Sequence, residues 1–90
     1  MDTPEDYKKL ITEIVHKQMD ILGPEIAIKR ARNVSGIEIS EQGDVTAIGA
    51  DPQAILQKLV NEYVTLSGDI VKNILGPVLA KYPEIKLDLK

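Results

Sequence analysis

From position 7 onward, apolar residues recur at intervals of three and four. Tyr7, Leu10, Ile11, Ile14, Val15 and Leu22 fall on one face of a helix, with Lys9, Glu13, His16, Lys17 and Asp20 mostly opposite. Thr3-Pro4-Glu5-Asp6 reads as its start: Thr3 as N-cap, proline at the first helical position, acids in the first turn. Gly23-Pro24 reads as a stop and a restart, opening a shorter helix over residues 24–33 with Asn33 near its end. A single helix kinked at Pro24 is the alternative, because proline removes one ladder bond.

After Gly36 the period changes. Ile37-Glu38-Ile39-Ser40 and Val45-Thr46-Ala47 alternate apolar and polar around Gln42-Gly43-Asp44, which predicts a β-hairpin. Asp51-Pro52 repeats the cap-plus-proline device. From there Ile55, Leu56, Leu59, Val60, Tyr63, Val64, Ser67, Ile70, Val71, Ile74 and Leu75 mark a second, longer helical stripe. Gly76-Pro77 is expected to end that helix and start another short one. The tail Pro83–Lys90 alternates strictly, with Ile85, Leu87 and Leu89 on one face, and predicts a third strand. The expected fold is α+β in the order α-α-β-β-α-α-β. Two main helices and two short Gly-Pro-started ones would cover one face of a three-stranded antiparallel sheet, in one domain spanning 1–90.

Two strings hint at an internal repeat. KLITEIV (9–15) resembles KLVNEYV (58–64), and ILGP occurs at 21–24 and again at 74–77. Duplicated units over about 4–40 and 52–89 would explain this. Chance matching of Lys/Leu/Ile/Val/Glu helices would explain it as well, and the hairpin occurs in the first copy alone.

The composition narrows the picture. There is no Phe or Trp and there are three Tyr, so the core must be aliphatic; each fully buried aliphatic side chain contributes roughly 1.5–3 kcal/mol. A chain this short buries only about 60% of its unfolded surface. A helix over 52–75 would be about 36 Å long, against a radius of gyration near 12 Å for such a domain. Its stripe would then outrun the monomer, which predicts a homodimer. If Gly68 breaks the helix instead, both halves can pack within one chain.

Net charge of −3 excludes a general attraction to nucleic acid or anionic lipid. No cysteine means no disulfide, thiolate nucleophile or Cys-based metal site, and fits a reducing cytoplasm. The charged start MDTPEDYKK lacks the apolar core of a signal peptide, and no apolar run approaches the ~20 residues of a membrane span. A cytoplasmic, soluble protein without membrane contact is expected; aliphatic richness without cysteine also suits a thermophile.

The chemical inventory is thin. His16 is the one histidine, the acids show no calcium-loop spacing, and phosphate-loop, dinucleotide and nucleophile-elbow motifs are missing. Ser67-Gly68-Asp69 reads as a close helix–helix approach rather than a catalytic element. No enzyme activity, cofactor or metal is expected. The leading expectation is a non-catalytic, self-associating interaction or adaptor module, contacting a second copy or another protein around Tyr63, Leu66 and Ile70. Lys29, Arg30 and Arg32 form the one basic cluster and give the alternative, an anion or nucleic-acid patch. Without aromatic neighbours that patch is a poor nucleic-acid footprint. A small-molecule sensor with an aliphatic pocket is the third reading, since such pockets leave no sequence mark.

Overall fold

The computed structural model describes residues 4–82 and residue 85. Helix α1 (Pro4–Leu22) is followed by α2 (Pro24–Arg32), the hairpin strands β1 (Ile37–Ile39) and β2 (Val45–Ile48), then α3 (Pro52–Ser67) and α4 (Asp69–Ala80). The Thr3 cap and the expected third strand over 83–90 fall outside the described residues, apart from Ile85, which is buried. Among the described residues the sheet therefore has two strands rather than three, antiparallel as expected.

Local signals place most of the boundaries. Asp51 caps α3, its side chain accepting from the Ala54 amide at 3.3 Å, with Pro52 at the first helical position. In the hairpin, Ile37 faces Ile48 and Glu38 faces Ala47, but Ile39 faces Val45. Thr46 is the extra residue of a bulge, and its hydroxyl donates to the Glu38 carbonyl at 3.2 Å. Gly43 has φ +86 in the turn, and the Gly49 amide closes the hairpin's far end on the Gly36 carbonyl at 2.6 Å.

The long second helix is where expectation and structure part. The stripe from Ile55 to Leu75 is not one helix: Gly68, at φ 57 and ψ −122, ends α3 and begins α4. Gly76-Pro77 neither ends a helix nor starts one, and Pro77 lies inside α4. A positive φ stops the helix outright, whereas proline in the interior forfeits one bond to the residue four before it. With the helix broken, the argument for a dimer from its 36 Å length falls. Total accessible surface is 5140 Å², close to the ~5200 Å² expected of a folded 9.9 kDa monomer.

Cross-contacts fix the helix directions. Tyr7 Oη donates to Gln53 Oε1 at 2.9 Å, joining the first turns of α1 and α3. Lys81 Nζ lies 3.4 Å from Glu13 Oε2, so α4 returns antiparallel along α1. Tyr63 bonds to Ala27 and Arg30 pairs with Glu62, so α2 returns along α3. The hairpin lies on the remaining flank of α1, where the Val45 amide donates to Thr12 Oγ1 at 3.0 Å.

The two helix pairs share a burial pattern. Leu10, Ile11, Ile14, Val15 and Gln18 before Gly23 correspond, at a spacing of 45, to Ile55, Leu56, Leu59, Val60 and Tyr63 before Gly68. After the glycines, Ala27, Ala31 and Val34 correspond at a spacing of 44 to Val71, Leu75 and Val78. All are buried. The strings KLITEIV and KLVNEYV, 49 apart, are offset from this correspondence by about one helical turn.

Candidate interaction surface

Each corner is a positive-φ glycine with backbone bonds on both sides, though ψ differs, 150 at Gly23 and −122 at Gly68. The Gly23 amide bonds back to the Met19 carbonyl at 3.0 Å, and the Gly23 carbonyl accepts from Ala27 at 3.1 Å. The Gly68 amide bonds back to Val64 at 2.8 Å, and its carbonyl accepts from Val71 at 3.1 Å. A Cβ at either glycine would meet nothing within 4 Å. Glycine is needed there for its backbone angles (φ 91 at Gly23, 57 at Gly68), not for space.

Both corners lie at the same end of the molecule. Since α1 and α3 begin together, they also finish together. Tyr63, five residues before Gly68, touches Ala27, four residues after Gly23. Lys17 and Ile74 line one groove between α1 and α4, and one further turn from each leads to Ile21 and Ile70 at that end.

Among the described residues, the large hydrophobic side chains left exposed are Ile21, Ile26, Leu66 and Ile70, at 38–51% of their surface. Every one lies within three residues of a corner glycine. Ile21 and Leu66 stand two residues before Gly23 and Gly68, while Ile26 and Ile70 stand just after them. None of the four belongs to the buried cluster that runs from Tyr7 to Ile85, so this apolar end is a feature separate from the core.

The expected contact residues divide accordingly. Leu66 and Ile70 belong to the end. Tyr63 does not: it is fully buried, and its hydroxyl donates to the Ala27 carbonyl at 2.8 Å. Burial pushes its phenol well above the ordinary tyrosine range. Ile21 and Ile26 were missed because they sit on a different helix pair from the stripe that pointed to Leu66. The signal that could have found them is their spacing from Gly23, which matches that of Leu66 and Ile70 from Gly68.

The basic cluster comes apart. Arg30 turns toward α3, with Nη1 3.8 Å from Glu62 Oε2. Arg32 Nη2 donates to the Ile39 carbonyl at 3.1 Å and ties α2 to β1. Lys29 and Arg32 line an open groove of about 610 Å³, but Glu25 and Glu41 line it too. Arg30 and Arg32 thus reach different neighbours, while Lys29 and Arg32 share one groove with two acids. His16 Nε2 lies 2.9 Å from Asp44 Oδ1 and helps hold the hairpin turn on α1.

Among the described residues, the tyrosine hydroxyls apart, Gln18 is the one polar side chain in the buried core, and neither its Nε2 nor its Oε1 has a hydrogen-bond partner. Among the described residues no group of three or more His, Cys, Asp or Glu is placed to hold a metal ion. No helix there is long and apolar enough to cross a membrane. No family model, curated protein or solved structure matches the chain.

Proposed function

We propose that this chain is a non-catalytic protein-interaction module whose contact surface is the apolar end formed by the Gly23 and Gly68 corners. The observation that carries the reading is the gathering of Ile21, Ile26, Leu66 and Ile70 at that end, while Leu10, Ile11, Ile14, Val15, Ile55, Leu56, Leu59, Val60, Val71 and Leu75 are buried. Exposed aliphatic side chains cost solubility unless something covers them, and concentration at one place marks a contact surface. The corners are also suited to the task mechanically. Each is a helix–glycine–helix turn with backbone bonds on both sides of the glycine, which favours holding the apolar side chains in place before a partner arrives.

The nucleic-acid reading is the less favoured one, because Arg30 lies 3.8 Å from Glu62, Arg32 donates to the Ile39 carbonyl, and acids share the groove with Lys29. The test is site-specific photo-crosslinking in cells. A benzophenone side chain replacing Ile26 or Ile70 is expected to give protein adducts that the same probe at exposed Lys58 does not. Equal labelling from all three positions, or none from the corners, would refute the reading.

A further inference from the structure

We infer that Met19 is an oxidation site, and that its conversion to the sulfoxide by a peroxide releases the hairpin turn from α1. The site stands apart from the apolar end, because none of the four side chains there lies on the hairpin.

A two-stranded sheet is marginal by itself and needs another element to pack on. Here that element is α1, and the turn is covered by it. Gly43 is buried although Gln42 and Asp44 on either side are exposed. Its cover is Met19 and His16: a Cβ built on Gly43 would collide with Met19 Sδ and lie 3.1 Å from His16 Cδ2. The His16–Asp44 contact and the bond from the Val45 amide to Thr12 Oγ1 flank that place. Met19 itself is partly buried, packed on the core but still reached by solvent.

Oxidation changes what Met19 can do there. The sulfur attacks one oxygen of hydrogen peroxide, the O–O bond breaks, and the proton of the transferred oxygen leaves with the other oxygen as water. The sulfur loses two electrons, and an apolar thioether becomes a polar sulfoxide whose oxygen needs a donor. The donors of the turn are already used. The Gly43 amide bonds to the Ser40 carbonyl at 3.0 Å, and the Asp44 amide to Ser40 Oγ at 3.2 Å. The Val45 amide is on Thr12, and His16 Nε2 faces Asp44. An oxygen kept against Gly43 would be unpaired, and Sδ already touches the glycine too closely to admit it. The sulfoxide turns out to water and Gly43 loses its cover.

The chain has no cysteine to compete for the oxidant, and Met1, its other methionine, lies outside the described residues. Release is confined to the turn, because the strands keep their own ties. Arg32 holds the Ile39 carbonyl, and the Gly49 amide closes the far end on Gly36. Glu41 in the turn lines the groove along α2, so that groove opens on one side.

The test is hydrogen–deuterium exchange of the full chain by NMR before and after hydrogen peroxide, with each methionine's oxidation read from a mass gain of about 16 Da. Oxidised Met19 is expected to speed exchange at the Gly43, Asp44 and Val45 amides about tenfold, with α3 unchanged. A methionine sulfoxide reductase should reverse the effect. Met19→Leu, a volume-conserving swap, should fold and ignore peroxide. Met19→Gln, polar at the same reach, should loosen the turn without any oxidant. A Met19 that resists peroxide in the folded chain while Met1 is oxidised overturns the inference. So does full oxidation that leaves the turn amides protected, or a peroxide response that persists in Met19→Leu. Protection lost equally through α3 would mark general unfolding and refute a release confined to the turn.

Discussion

The hydroxyl of Tyr63 donates to the carbonyl of Ala27 at 2.8 Å, from the interior of α3 to the first turn of α2. It is the polar link through the core that keeps the Gly23 corner beside the Gly68 corner. Forty-five residues earlier, the equivalent position on α1 is held by Gln18, whose amide reaches no partner. One burial pattern thus contains two polar groups in opposite states of satisfaction.

Tyr63→Phe should cost about 0.5–1.5 kcal/mol, the usual contribution of one hydrogen bond, because the ring still fills its place. Tyr63→Ala should cost about 3–5 kcal/mol through the cavity it leaves. The pH dependence follows from burial raising the folded-state phenol pKa. The neutral phenol is the form the fold prefers, so its contribution is complete below the unfolded value near 10 and is lost as pH climbs above it. Urea midpoints at pH 8 and pH 11 should therefore diverge in the native protein, and diverge less in Tyr63→Phe.

Gln18→Leu should make the protein more stable. Burying an amide without partners costs about 1–3 kcal/mol, and leucine of similar volume removes that cost. In a domain of this size a gain of 1 kcal/mol raises the melting temperature by about 4–8 °C. A fall in melting temperature would mean that the amide makes a bond worth more than leucine's burial.

The two ILGP strings should respond oppositely to the same change. Pro24 is the first residue of α2, where its amide is not needed and its fixed φ helps. Pro24→Ala should therefore lose about 0.4–1 kcal/mol through the freer unfolded chain. Pro77 is inside α4, where it forfeits a backbone bond. Pro77→Ala should gain about 2–2.6 kcal/mol, the cost of interior proline less its entropic benefit. Denaturant titration of both variants checks the pair, and a shared sign would contradict these placements.

That contrast also shows what the sequence could reveal. Local devices were readable: Asp51-Pro52, Gly23-Pro24 and the hairpin around Gly43 each act over a few residues, and the structure uses each as expected. Gly68 was readable only as an alternative. The apolar stripe runs through it without interruption, because α4 turns back onto α1 and needs apolar residues just as a continuing helix would. Gly76-Pro77 looked like the stronger stop. Packing of Val71, Leu75 and Val78 against the core holds α4 together across the proline, and no local rule contains that. For the surface, periodicity singled out Leu66 and Ile70 but included Tyr63, whose acceptor lies 36 residues away. Ile21 and Ile26 needed the knowledge that two corners share one end.

Arg32 allows a structural role to be separated from anion binding. Its guanidinium donates to the Ile39 carbonyl, so Arg32→Met, which keeps much of the aliphatic stem, should cost about 1 kcal/mol by leaving that carbonyl to solvent alone. Exposed Lys29→Ala should stay within about 0.5 kcal/mol of the parent. Were the pair an anion site, saturating phosphate or a short DNA duplex at low salt would raise the parent's melting temperature and not that of the variants. The fold predicts no such rise, because Glu25 and Glu41 line the same groove and oppose an incoming anion. A rise of several degrees that disappeared in both variants would restore the basic cluster as a binding site.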